Sequence, residues 1–505
     1  MADRASFGML CHRRLVHANG LFPDWMENEF PRLVCHSRCV FDFSLCFDIV
    51  GSVAMKIGFL AMSGIRAHDP ELLKMGLTLP GVVERSQVVA SLPSLGLLYL
   101  AAVTPPEHEL LYFEAEADGH EPAEVYTCDL VAISTFSAQV FEAYAIADRL
   151  RRAGVRVAMG GLHVTVRPEE ALAHADYVIV GEGENVWPAV VEACRQGTGF
   201  GIWKAAAFPP VDVSRLPVPR YDLLADRPYN RFTVQTSRGC PWRCDFCASN
   251  VTLRQKYRKR PVADVIRDIR EICRWRKRPF LEFADDNTFV DKEWGKELCC
   301  RLAPLRLKWF TETDISVADD PELLHCMRQA RCRQVLIGLE SPERAALDGL
   351  EMKTNFKARR WDTYVDAIRE IQDHGITVNG CFILGLDRHT PDIFEEVLDF
   401  ALRVPLYDVQ ITVLTAFPGT PLYDRLHREG RILQPQRWDL CTLFDVNYQP
   451  KNMSVEQLRQ GMYWLTERLY SEDCLLRRRR PFFENLWQRH HAANPEMAEE
   501  EALAV

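Results

Sequence analysis

Apolar positions along this chain fall into two series of short runs, separated by segments in which apolar residues recur every three or four positions. In the first series, from Met55 to about residue 200, the runs KIGFLAM, ELLYFEAE, DLVAISTF, VRVAMGG and DYVIVGEG read as buried strands. The segments PSLGLLYLAAV, AQVFEAYAIADRLRRAG, PEEALAHA and ENVWPAVVEACRQ carry helical spacing between them. Strand–helix alternation of this kind predicts a parallel sheet covered on both faces, with ligands at the carboxyl ends of the strands.

A second series begins at RFTVQTS and continues through PFLEFAD, KWFTETDI, QVLIGLES, ITVNGCFILG and DVQITVLTA. Its helices include RPVADVIRDIREICRW, where Pro261 opens the first turn and Val262, Val265, Ile266 and Ile269 share one face. Six strands, each followed by a helix or loop, predict a partial or full α/β barrel with its chemistry at the strand C-termini. The organisation expected is therefore a Rossmann-like domain over 55–200, a proline-rich linker over 201–230 and a barrel over 231–430. A mostly helical region follows over 431–505, where Ser454 and Gln457 form a capping-box start. Residues 1–54 show no period and read as a poorly ordered extension or a start assigned upstream in error.

A length of 505 residues allows roughly three domains, each with its own core. The net charge of −9 argues against a nucleic-acid partner. The run RRRR at 477–480 reads as a solvated basic turn rather than a polyanion site. The N-terminus lacks the apolar core of a signal peptide, and the apolar run that follows is broken by Asp42 and Asp48, too short to span a bilayer. The expectation is a cytoplasmic, reduced protein with no transmembrane segment, whose 17 cysteines are scattered rather than spaced as a disulfide framework. Cys35 and Cys39, with Cys46 beyond, lack the aromatic or glycine turn that would make a second metal site.

One cluster stands apart. SRGCPWRCDFCASN places Cys240, Cys244 and Cys247 at C-x3-C-x2-C immediately after the first barrel strand. A closed zinc or iron–sulfur site normally takes four protein ligands. Three thiolates can instead hold a 4Fe–4S cubane with one iron open to an exogenous ligand, unless a distant cysteine or histidine completes a structural zinc site. Gly239 permits the tight turn into the loop, and Phe246 offers an aromatic face.

This loop resembles the signature of the radical S-adenosylmethionine (SAM) enzymes. The resemblance implies that SAM chelates the open iron and is reductively cleaved there to methionine and a 5′-deoxyadenosyl radical. It implies SAM contacts from Phe246, from Asp285 and Asp286 in FADDNTF (which could instead cap the next helix), and from Glu340 and Ser341 ending VLIGLES. Gly380 and Ile383 in GCFILGLD are similar to the stretch that packs on adenine, and FPGTPLYDRL to the turn after the sixth strand.

The first domain resembles the cobalamin-binding domain that precedes many radical SAM cores. Ser134, Thr135, Gly160, Gly161, Gly181, Glu182 and Gly183 stand where small or turn residues would let backbone approach the corrin and its nucleotide tail. The D-x-H-x-x-G cobalt-ligand motif is absent, since His68 in AMSGIRAHDP lacks the flanking Asp and Gly. Cys128 and Cys194 do not form the extra trio of the RNA methylthiotransferases. Residues after about 430 are similar to the accessory region of some cobalamin-dependent members, including hopanoid methylases. The resemblance implies a cobalamin-dependent methyltransferase acting on an unactivated carbon of a small-molecule or lipid substrate, with a flavodoxin or ferredoxin as reductant. A non-methylating relative (an oxidative cyclase or rearranging enzyme) and an iron–sulfur electron-transfer protein are the alternatives.

Overall fold

The computed structural model describes residues 54–493, except 63, 66, 76–91, 117–118, 226, 228, 230 and 250–255. The predicted extension up to residue 53, with Cys35, Cys39 and Cys46, lies outside the described residues. Both sheets belong to one compact unit, Val53–Val505.

The first sheet contains β1 (Lys56–Ala61), β2 (Glu109–Glu114), β3 (Leu130–Ser134), β4 (Arg156–Gly160), β5 (Tyr177–Val180) and β6 (Gly201–Lys204). All pairs are parallel, in the order β2-β1-β3-β4-β5-β6. This is the flavodoxin-like order, and its direction reverses at β1, so a crevice opens at the carboxyl ends of β1 and β3. β3 is buried along almost its whole length because helices cover both faces, which is why LVAIS reads as a continuous apolar run. β6 is a correction to the expected linker: GIWK at 201–204 pairs with β5 as the edge strand. The rest of 201–230 carries three short 3-10 turns, the last of which buries Tyr221.

The second sheet contains β7 (Arg231–Val234), β10 (Phe280–Phe283), β11 (Lys308–Thr313), β12 (Cys332–Glu340), β13 (Thr377–Leu384) and β14 (Asp408–Val413). Its order, β14-β13-β12-β11-β10-β7, is wholly parallel and open between β7 and β14, so the barrel is partial. Alternation sends Leu281, Phe283, Trp309, Val335, Ile337, Val378 and Phe382 outward into the apolar layer under the helices. Glu282, Glu312 and Cys381 take the opposite, lumen-facing positions. A two-residue antiparallel ladder, β8 (Ser237–Arg238) with β9 (Arg258–Lys259), ties together the two ends of the cysteine loop.

Beyond residue 430 the chain makes a short 3-10 turn at Trp438–Leu440 and is α-helical only from Val455 onward. Helix Val455–Leu469 starts on the predicted capping box of Ser454 and Gln457. Helix Glu472–Ala493 carries the RRRR run, which is therefore not a solvated turn. Arg478 is fully buried and donates to the carbonyls of Leu406, Tyr407 and Leu469, while Arg479 pairs with Asp408 at 2.6 Å. The loop after β1 is held by the same region. The amide of His68 donates to Asp445 (2.9 Å), its ring faces Asp439 (3.7 Å), and Tyr463 Oη donates to Asp69 (2.6 Å).

Candidate active site

The cysteine loop leaves β8 through Gly239, whose φ of +80° is open to glycine but costly for a residue with a Cβ. Cys244 then forms an isolated antiparallel bridge with Glu351, fixing the loop's middle to the segment after β12. The Glu351 carboxylate accepts from the amides of Arg243 (3.0 Å), Lys353 (3.0 Å) and Thr354 (2.6 Å). Burial opposes its charge, but the Thr354 hydroxyl and these amides prevail and hold its pKa at about 2. Trp242 stacks on Phe356 with centroids 3.9 Å apart and donates its indole N–H to Asp314 at 2.8 Å. Asn287 Nδ2 donates to the same Asp314 oxygen (2.8 Å) and lies 3.9 Å from the Cys240 sulfur.

Besides burial, Cys247 contributes to raising the pKa of Cys240, and Cys247 and Cys240 to raising that of Cys244, so the three thiols stand close together. Burial is the larger cause; it lifts Cys240 to about 12 and Cys244 further. No disulfide joins any described cysteine. Among the described residues, no three His, Cys, Asp or Glu side chains are drawn together as ligands of a single metal ion. The donor set fits a multi-iron cluster better. It offers three soft sulfurs, no fourth cysteine in the loop, and an amide donor beside one sulfur.

The predicted SAM residues divide into two groups. Glu340, at φ +63°, ends β12 beyond a register shift and folds back over Gly338, where a Cβ would stand 2.4 Å from its Oε1. It pairs with Lys357 at 2.6 Å, and Lys357 also donates to the Gly338 carbonyl at 2.9 Å. Both charges influence Cys244, so the pair lies at the cluster loop. Asp286 lines the interdomain cavity and accepts from Ser249 Oγ (2.5 Å). Phe246 and Ile383 belong to one apolar cluster with Leu386 and Leu414.

Asp285, Ser341 and Gly380 are placed differently. Asp285 caps no helix, a task that Asp291 performs for Lys292–Leu302. Its buried carboxylate accepts from the amides of Thr236 and Ser237 (both 2.8 Å) and from the hydroxyls of Thr236 and Thr288. It therefore anchors the strand end that launches the cysteine loop. Ser341 is fully buried against His389 Nε2 (3.0 Å), and burial drops the His389 pKa to about 3, keeping the ring neutral. Gly380 and Ile383 are three residues apart on one strand, so they cannot share a face. Gly380 points outward, where a Cβ would meet Leu339 at 2.9 Å and Leu406 at 3.0 Å.

The carboxyl ends of β3, β4 and β5 open onto this loop. A cavity of about 320 Å³ is lined by Ser134, Gly160, Gly161, Gly181, Glu182 and Gly183 on one side, and by Ser237, Arg238, Gly239, Ser249 and Asp286 on the other. Gly161 has φ +104°, and a Cβ there would fall 2.5 Å from the Thr135 carbonyl oxygen. Thr135 supplies that backbone wall, is not itself among the lining residues, and donates its hydroxyl to the Phe136 carbonyl at 2.9 Å. None of the described cavity-lining residues is a histidine. Small residues and backbone on one wall suit the close approach of a large planar group.

The pattern of the Radical SAM superfamily matches residues 234–401, and that of the B12 binding domain matches residues 83–191. A domain of unknown function (DUF4070) matches residues 420–505. An uncharacterized methyltransferase of Synechocystis sp. is 31% identical over 370 residues, covering 71% of this chain and 67% of that protein. The chain belongs to the radical SAM superfamily. It is an enzyme of the superfamily branch that carries a B12 binding domain, and membership implies a 4Fe–4S cluster and SAM, with cobalamin implied by the B12 binding domain. The hopanoid C-2 methylase of Rhodopseudomonas palustris is 27% identical, covering 68% of this chain and 66% of its own. In fold, this radical SAM chain is similar to TsrM from Kitasatospora setae, solved with cobalamin and a [4Fe-4S] cluster, at TM-score 0.56 and 15% identity. The likeness covers 74% of this chain and 75% of that one.

The radical SAM core also depends on residues that sequence reasoning missed. Asn287, two positions past Asp285, belongs to the same polar run after β10 and was accessible from it. Lys357, Glu351 and Trp242 had no sequence signal, because each has a decisive partner far along the chain: Glu340, Arg243 and Asp314 respectively. No helix among the described residues is long and apolar enough to cross a membrane.

Proposed function

We propose that this enzyme is a cobalamin-dependent radical SAM methyltransferase that alkylates an unactivated carbon of a small-molecule or lipid substrate. The observation that carries the reading is the single cavity whose walls join the first sheet's glycine loops to the cysteine loop of the barrel. When bound, the cluster, SAM and cobalamin supply radical generation and methyl carriage. Cys240, Cys244 and Cys247 would hold the cluster, and Asn287 would donate to the sulfur of Cys240. Glu340, balanced by Lys357, fixes an acceptor beside Cys244 for the polar end of SAM. Asp286 provides a second carboxylate at the cavity, while Phe246 and Ile383 give an apolar wall that excludes water. Ser134, Gly160, Gly161, Gly181 and Gly183 would face the corrin. A low-potential flavodoxin or ferredoxin would be the electron donor.

Anaerobic reconstitution tests the reading. The expected result is about four irons per chain, an EPR signal that changes on adding SAM, retained cobalamin and transfer of label from methyl-labelled SAM. An EPR signal indifferent to SAM would overturn the radical core, and loss of cobalamin would overturn the methyl route. A non-methylating activity is the second reading. It is favoured by similarity to an anaerobic magnesium-protoporphyrin IX monomethyl ester cyclase of Cereibacter sphaeroides, 25% identical over 69% of this chain. SAM consumption without methyl transfer would select it.

A further inference from the structure

Glu182 lies in the loop after β5, a position at which the resemblance implies a cobalamin contact. Its carboxylate is already taken. Glu182 Oε1 accepts from Arg238 Nη1 and from Arg258 Nη2, each at 2.7 Å, and Oε2 receives Arg258 Nη1 at 3.2 Å. Arg238 also pairs with Glu184, hydrogen-bonds Gln235 at 2.7 Å and lies over the Tyr99 ring at 5.7 Å. These side chains are 8–26% exposed, so solvent screens them little.

The two arginines are directly opposed across the β8–β9 ladder, which closes the base of the cysteine loop. Two cations facing each other across a strand pair repel. Glu182 is the anion that lets them stand side by side, and it comes from the other sheet. Removing its charge therefore loosens the ladder, and moving its loop moves the ladder with it.

We propose that Glu182, Glu184, Arg238 and Arg258 form an interdomain latch that couples the cobalamin-side loop to the cluster-side loop. Binding in the cavity is thereby felt at the cysteines, and cluster assembly is felt in the cavity. These are positioning residues, and the cobalamin part of this inference rests on the functional reading above.

Arg258 gives the cleanest test, because it reaches Glu182 without lining the cavity. Amide hydrogen exchange is measured on the full chain for wild type, Arg258→Gln, Glu182→Gln and the double variant, with and without hydroxocobalamin. Thermal unfolding checks that each variant is folded. In the ligand-free protein, Arg258→Gln should speed exchange of residues 181–184 about tenfold, and Glu182→Gln should do the same for 236–247. The double variant should add little to either single one, as expected for groups in one network. In wild type, hydroxocobalamin should slow exchange in 236–247; in the variants this transmission should be lost and affinity should fall about tenfold. Arg258→Gln with wild-type exchange at 181–184 overturns the latch. Additive effects in the double variant overturn it equally. A wild type that binds no hydroxocobalamin refutes the functional reading instead, and the ligand-free exchange pattern still decides whether the latch exists.

Discussion

Replacing Asp285 by alanine removes the acceptor of four donors at once: the amides of Thr236 and Ser237 and the hydroxyls of Thr236 and Thr288. The hydroxyls can turn to other partners, Thr288 to Thr311 at 2.6 Å. The two amides belong to buried residues and have no such freedom. Each buried donor left unsatisfied costs about 1–3 kcal/mol, so Asp285→Ala should destabilise by roughly 2–6 kcal/mol. Asparagine should behave differently. Its oxygen still accepts both amides, and its nitrogen can donate to hydroxyls that rotate to accept.

Charge adds a second difference. Burial outweighs the hydrogen bonds from Thr236, Ser237 and Thr288 and raises the wild-type carboxyl from 3.8 to about 6. The unfolded carboxyl ionises first as pH rises. Stability present below the unfolded pKa is therefore lost as pH climbs through the folded one, by about 3 kcal/mol for a displacement of roughly two units. Asparagine carries no such loss. Urea unfolding at about pH 4.5 and about pH 7.5 should show Asp285→Asn at least as stable as wild type at the higher pH, with Asp285→Ala far below both. Equal losses for Asn and Ala at the higher pH would refute the anchoring role. So would a large fall in SAM affinity for Asp285→Asn with no change in stability.

Lys357→Met leaves Glu340 unpaired at a side-chain exposure of 9%, and should cost about 3 kcal/mol in urea unfolding and weaken the SAM-induced EPR change. Gly161→Ala drives a Cβ toward the Thr135 carbonyl in a left-handed conformation. Hydroxocobalamin retained through gel filtration should fall at least about tenfold, while iron per chain stays unchanged. Cys244→Ala should do the reverse: less than about half of the wild-type iron and no EPR response to SAM, with cobalamin still bound but more weakly than in wild type.

The two parallel sheets were legible because each strand is a run of apolar residues broken by helical spacing. β6 was not, since GIWK is three half-exposed residues and an exposed lysine on an edge, where burial imposes little pattern. Within the site, the cysteine spacing and the strand-end Glu340 were readable as local features. Gly380 and Ile383 were assigned together, although strand alternation alone separates them. Asp285 and Asp286 are adjacent and chemically alike, and only the position of Thr236, 49 residues away, shows which is anchored and which faces the cavity. Glu182 lines the cavity, but its ion pairs were hidden for the same reason. Its glycine neighbours signal a turn, but its charge is committed to Arg238, 56 residues further along.

The clasp on the loop after β1 bears on the order in which the molecule can be completed. His68 is held by Asp445 and Asp69 by Tyr463, partners 377 and 394 residues downstream. A nascent chain emerges N-terminus first, and its early domains fold as they appear. The contacts that hold this loop cannot form until residues 445 and 463 have been made. Leu458, Met462, Leu465 and Leu469 fill the same apolar core as β1 and the barrel strands, so the clasp closes together with that core rather than as a separate later step.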